Sequence, residues 1–158
     1  MNGTSLSLTL LALLAALLVA CAIEDMRQRT IANWKNAVIA LLAPLWWWSQ
    51  GWALWPDLAL HLGVAVGVFA LFVGIFALGQ MGGGDVKLIG AMALWLPPVP
   101  LMQLLMLMAI VGAAITIVAA IEHRWRRRAG RTETPYGVAI AVAGLIMLRE
   151  PLFYQFTG

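Results

Sequence analysis

Long apolar runs, separated by short polar stretches, organise this chain. The runs cover residues 6–23, 36–55, 58–78, 86–96, 101–121 and 137–148. A bilayer core about 30 Å thick is crossed by about 20 helical residues. Runs one, two, three and five meet that length. Residues 86–96 fall short of it, and Pro97, Pro98 and Pro100 follow. A straight helix does not continue through such a cluster. The pattern therefore predicts a short or partial fourth span that ends in a proline turn at the outer face. The sixth run is also short and can draw on residues 132–135. No internal repeat, low-complexity tract or soluble domain interrupts the series. The expected fold is all-α: a polytopic membrane helix bundle of six transmembrane segments, with residues 1–158 forming one domain.

Composition agrees with lipid as the solvent. The chain is 63% hydrophobic and 11% charged, against roughly 45–50% and 25% in soluble domains. The charges also orient the bundle. Arg27, Arg29 and Lys35 fall between runs one and two, and Lys87 follows run three. Arg124, Arg126, Arg127, Arg128 and Arg131 fall between runs five and six, and only Arg149 lies elsewhere. With both termini outside, every basic residue except Arg149 faces the cytoplasm, as the positive-inside rule requires. The arginine-rich loop then fixes topology and meets anionic lipid. Trp46, Trp47, Trp48, Trp52 and Trp55 cluster at the outer end of run two and are expected to form an interfacial belt.

The first run has a competing reading. Leu18-Val19-Ala20-Cys21 resembles a bacterial lipoprotein cleavage box, which would make the segment a removed signal peptide. No Lys or Arg precedes the run, and that charge order favours a retained helix. Cys21 is the one cysteine, so there is no disulfide framework and no CxxC metal site. His61 and His123 are too isolated for a metal centre. No metal, cofactor or nucleic acid is expected.

Carboxylates near hydrocarbon are costly to keep, so each acid is a candidate for function. They are Glu24, Asp25, Asp57, Asp85, Glu122, Glu133 and Glu150. Asp57 and His61 read as an interfacial pair capping span three, and Glu122 as a solvated ion pair beside arginines. Asp25 and Asp85 differ, because the topology brings them to one depth, on the cytoplasmic side, from separate helices. Gly82-Gly83-Gly84 precedes Asp85. Glycine permits close backbone approaches that a Cβ would block, and a helix start exposes N–H groups. The plainer alternatives are a helix N-cap for Asp85 and a solvated boundary residue for Asp25. Two carboxylates sharing a site suit peptide hydrolysis. They cannot both ionise easily, so one acts as acid and the other as base.

At these residues the sequence resembles a family. Gly82-Gly83-Gly84-Asp85-Val86-Lys87-Leu88 is similar to the GxGD-plus-Lys signature of type IV prepilin peptidases. Asp25-Met26-Arg27-Gln28-Arg29-Thr30-Ile31-Ala32-Asn33 resembles their first aspartate motif, D-x-R-x-R-x-I-P-N, with Ala32 in place of the proline. Pro135-Tyr136-Gly137-Val138-Ala139 resembles the motif that opens their last helix. The three motifs fall in family order.

The resemblance implies an aspartyl endopeptidase of the bacterial inner membrane, with its active site facing the cytoplasm. Its substrates would be prepilins and pseudopilins, whose short basic leaders it removes. Asp25 and Asp85 would be the catalytic pair. Gly82, Gly83, Gly84 and Lys87 would support the loop or the substrate. Larger relatives carry a four-cysteine zinc region linked to N-methylation, which this chain lacks. It resembles the small, peptidase-only branch that serves tight-adherence pili. Two other classes compete. A small proton-coupled transporter would carry acids near the bilayer midplane, where this chain has none. A non-catalytic pilus or secretion assembly subunit would tolerate loss of both aspartates. An archaeal preflagellin peptidase would differ only in substrate.

Overall fold

The computed structural model describes residues 3–126 and 136–157, with side chains described for 5–121 and 136–148. The Glu122, Glu133, Glu150 and Arg149 side chains, the arginine cluster at 124–131 and Pro135 lie outside these limits. The described residues form helices and no strands. They are α1 (Gly3–Gln28), α2 (Asn33–Ser49), α3 (Ala59–Ala77), α4 (Gly83–Ala93), α5 (Pro98–Arg126) and α6 (Tyr136–Thr157).

Three stretches are long and apolar enough to cross a membrane: Ser5–Gln28, Leu54–Ala77 and Pro98–Ile121. The six apolar runs fall on six α-helices of unequal length, and three of these helices carry the stretches just named. At about 1.5 Å per residue, the 11 residues of α4 reach only about half-way through a bilayer core. Helix α2 ends at Ser49 rather than near Trp55. Gly51 takes a left-handed φ of 66° there, and Trp55 is extended. These residues turn the chain before α3 begins. Pro98 and Pro100 sit in the first turn of α5. Helix N–H groups have no intrahelical partner in that turn, so prolines fit without loss.

Helices α1, α2, α4 and α6 form a closed ring, each touching the next, with α3 packed outside α4 and α5 outside α6. Their sequences show why. The buried residues of α1 include Ser7, Leu11, Leu14, Leu18, Cys21 and Asp25, spaced three or four apart along one helix face, with Leu10 buried beside them. Helix α6 buries Gly137, Ala139, Ala141, Ala143 and Gly144. Small residues of this kind let helix backbones approach closely in lipid. A Cβ on Gly144 would stand 2.9 Å from Leu18 and 3.2 Å from Met92, so α1, α4 and α6 meet there. The outer helices expose apolar side chains instead, including Leu60, Val66 and Leu71 on α3 and Met102, Ile110 and Val118 on α5. An apolar surface of that extent needs a cover, and lipid provides it.

The tryptophans do not act as one belt. Trp48 and Trp55 are exposed, but Trp46 is buried and stacks on Trp95 at 5.6 Å. Trp47 Nε1 donates to Leu94 O at 2.7 Å, and Trp95 Nε1 donates to Ile39 O at 2.8 Å. These bonds lock α2 to the end of the short helix. His61 is also absorbed there. Its Nε2 lies 2.9 Å from Leu94 O, and Trp52 packs edge-on against its ring at 4.8 Å. A short helix leaves carbonyls such as that of Leu94 unpaired, and these neighbours supply donors. His61 therefore serves α4, not the expected cap with Asp57, which stays exposed.

Candidate active site

The α1–α2 turn, the α3–α4 turn and the start of α6 share one end of the ring. Asp25 belongs to the last turn of α1. It continues the buried stripe of that helix and is only 4% exposed, so the reading of a solvated boundary residue fails. Its carboxylate reaches across to α6. Val138 N–H donates to Asp25 Oδ2 at 3.0 Å, and Gly137 N–H also donates to the carboxylate. These are donors that a helix start leaves without an internal partner, and its dipole favours a negative group.

Asp85 occupies the third position of α4, after Gly82 as the N-cap. Its carboxylate accepts from Gly82 N–H, the return bond of a capping box. At 9% exposure it too is buried. Asp25 and Asp85 are near enough for the charge of one to act on the other. Each acid therefore sits at a helix N-terminus, one on its own helix and one on a neighbour.

The glycines fit around these acids. A Cβ at Gly82 would stand 3.0 Å from Asp85 Oδ2, and one at Gly83 would stand 3.3 Å from the Phe76 ring. At Gly84 it would meet Ile31 Cβ at 3.2 Å and Ile31 N at 3.3 Å. At Gly137 it would meet Ile31 Cδ1 at 2.7 Å and Asp25 Oδ2 at 2.8 Å. Ile31 thus lies against both helix starts. Lys87 is exposed, and its Nζ donates to Asn33 Oδ1 at 2.8 Å, fastening α4 to the first residue of α2.

Several contributors carry no obvious sequence signal. Glu24 Oε2 accepts from Ala32 N–H at 2.9 Å and from Lys35 Nζ at 3.0 Å. Lys35 Nζ also donates to Ala20 O at 3.1 Å, so one ion pair fastens the α1–α2 turn to α1. Ala32 has φ −62°, the value a proline would impose. The departure from the proline of the resembled motif therefore keeps its backbone angle and gains a donor. Asn36 Nδ2 donates to Gly84 O at 3.1 Å, while the buried Asn36 Oδ1 has no partner. Beside these residues a cavity of about 590 Å³ opens between α2, α3 and α4. Asn33, Asn36 and Lys87 make its polar part, and Ala40, Phe69 and Leu94 are among its apolar walls.

Such a fold and site define a class: helical membrane proteins that gather two buried carboxylates from separate helices at one end of the bundle. The sequence model of the type IV leader peptidase family matches residues 12–117 of the 158, and the chain belongs to that family. The matched region takes in Asp25, the glycine run and Asp85, and ends before Tyr136 and Gly137. No curated protein and no solved structure matches the chain significantly. Membership makes this a membrane peptidase, and hence a hydrolase.

Proposed function

We propose that the chain is an aspartyl endopeptidase that removes the leader of prepilins and pseudopilins at the cytoplasmic face of the bacterial inner membrane. Asp25 and Asp85 are its catalytic pair. The observation that carries this reading is the convergence of the two acids, buried together at glycine-relieved helix starts, in a leader peptidase. The ionised member takes a proton from water, and the resulting hydroxide attacks the scissile carbonyl. The protonated member donates to the carbonyl oxygen. Collapse of the tetrahedral intermediate breaks the C–N bond, and the departing amine takes up a proton. Acid–base help of this kind is worth roughly 10²–10⁴-fold in rate.

The topology proposed is six membrane segments, α4 being partial, with both termini outside. This orientation puts the α1–α2 and α3–α4 turns, and so the site, on the cytoplasmic side. N-methylation is not part of the activity, because Cys21 is the one cysteine and it is fully buried in α1.

One feature favours a second reading. Each carboxylate satisfies helix N–H groups, which a purely structural cap also does, as in a non-catalytic assembly subunit. Asp25→Asn and Asp85→Asn separate the two, because asparagine retains capping oxygen but cannot act as acid or base. Each variant is co-expressed with a prepilin and the product is read by intact mass. Catalysis predicts unprocessed prepilin in both. Mature pilin at the parental rate in either one would remove the assignment.

A further inference from the structure

We propose that Ile31 is a positioning residue, the spacer that sets the separation of Asp25 and Asp85. This inference rests on the pair being catalytic, as read above. Ile31 is nearly fully buried, 6% exposed, and touches both helix starts through positions that have no side chain. On one side its Cβ and backbone fill the space where Gly84, the residue before Asp85, would carry a Cβ. On the other its Cδ1 fills the same space at Gly137, together with Asp25 Oδ2. Gly137 N–H and Val138 N–H in turn hold the Asp25 carboxylate. One isoleucine thus stands between the residue preceding one acid and the cradle of the other.

A spacer must itself be fixed, and the turn that carries Ile31 is. Glu24 grips Ala32, the next residue, and Lys35 binds both Glu24 and Ala20 O. Arg29, two residues earlier, takes a left-handed φ of 55°, and its N–H donates to Asp25 O at 2.9 Å. The turn is therefore tied to α1 on both sides of Ile31. The packed side chain is stiff as well, because β-branching restricts its first torsion. Two acids that must hold a water and a peptide between them need such a rigid stop. A displacement of ~1 Å in a catalytic constellation can lower the rate by roughly 10²-fold.

The test reads distance and catalysis separately, in the full-length chain with Cys21→Ala. Spin labels on cysteines replacing the exposed Met26 and Gln80 report the gap between the end of α1 and the approach to α4. Ile31→Ala is expected to shorten the mean label distance. Gly84→Ala, which adds a methyl against the same side chain, is expected to lengthen it. The double variant is expected to fall between them. A destabilised fold would move both single variants the same way, and a shift in one direction, or none, overturns the proposal. Should Ile31→Ala fail to fold, Ile31→Val takes its place with a smaller shift of the same sign.

In the unlabelled protein, Ile31→Ala is expected to lower kcat by roughly 10²-fold with KM nearly unchanged. Ile31→Leu, which keeps a δ-methyl to fill the space at Gly137, is expected to restore most of it. A rise in KM alone would overturn the proposal. If Asp25→Asn and Asp85→Asn process prepilin normally, the catalytic reading falls while the distance result stands. If those variants are dead and the labels do not move, the spacer falls alone.

Discussion

Gly137→Ala tests the packing of the site most directly. The added Cβ would stand 2.7 Å from Ile31 Cδ1, 2.8 Å from Asp25 Oδ2 and 2.9 Å from Asp25 Cγ. Carbon atoms prefer ~3.5–4.0 Å, so something must yield by nearly an ångström. The Ile31 methyl is the end of a side chain and can turn. The Asp25 carboxylate cannot retreat without releasing Val138 N–H, which it holds at 3.0 Å. Overpacking of a dense site costs about 1–3 kcal/mol, and losing a helix cap costs about 1 kcal/mol more. Alanine in place of helical glycine returns about 0.5–1 kcal/mol. The net expectation is a loss of about 1–3 kcal/mol. The control is Gly67→Ala in α3, where nothing lies within 4 Å of the added Cβ; it should be neutral or stabilising by up to about 1 kcal/mol. Unfolding of both variants in mild detergent, followed by circular dichroism, gives the comparison, and prepilin processing gives the functional arm. If Gly137→Ala is as stable as Gly67→Ala and cleaves at the parental rate, the tight contact of Asp25 with α6 is wrong.

The loop and the tryptophans offer further checks. Ala32→Pro keeps the backbone angle at φ −62° but removes the N–H that Glu24 accepts. A lost hydrogen bond of about 1 kcal/mol is nearly offset by the stiffer unfolded chain, so stability should hold within about 1 kcal/mol; a loss above about 2 kcal/mol would refute this balance. Glu24→Gln converts the Lys35 ion pair into a neutral contact and should expose the α1–α2 turn to faster hydrogen exchange, whereas protection equal to the parent would show that the pair does not hold it. Trp46 Nε1 is buried without a partner whereas Trp95 Nε1 donates to Ile39 O. Thermal unfolding should therefore find Trp46→Phe close to neutral and Trp95→Phe costlier by about 1 kcal/mol or more, and the reverse order would contradict the packing of α4.

Much of the architecture was legible because lipid demands long apolar helices, and hydropathy reports them directly. What hydropathy does not report is which helix face meets protein and which meets lipid, since both are apolar. The tryptophan run shows the cost of that ambiguity. Trp46, Trp47 and Trp48 are consecutive, yet one is buried, one is half-buried and bonded to Leu94 O, and one is exposed. Their helical phase decides between them, and Trp95, more than forty residues away, decides what Trp46 stacks on. The end of α2 was hidden for a similar reason. Apolar residues resume at Trp52 and run to Trp55, but Gly51 has already left helical geometry.

The acids were visible as types in the sequence, yet their burial depends on partners that local reading does not supply. Asp25 by itself reads as a solvated boundary residue at the end of the first run. Spacing gave the other clue, since it falls four residues after Cys21 and seven after Leu18, on the stripe that packs inward. A carboxylate there is tolerable only if donors meet it, and the donors are backbone groups of α6 with no side-chain signature. Glycine was the residue that could announce them. At Gly84 and Gly137 the absent Cβ makes room for one and the same isoleucine. The glycines flanking the acids therefore mark where helices converge as much as where the chain turns. A substitution at either should disturb the site by moving Ile31, even though neither glycine contributes a functional atom of its own side chain.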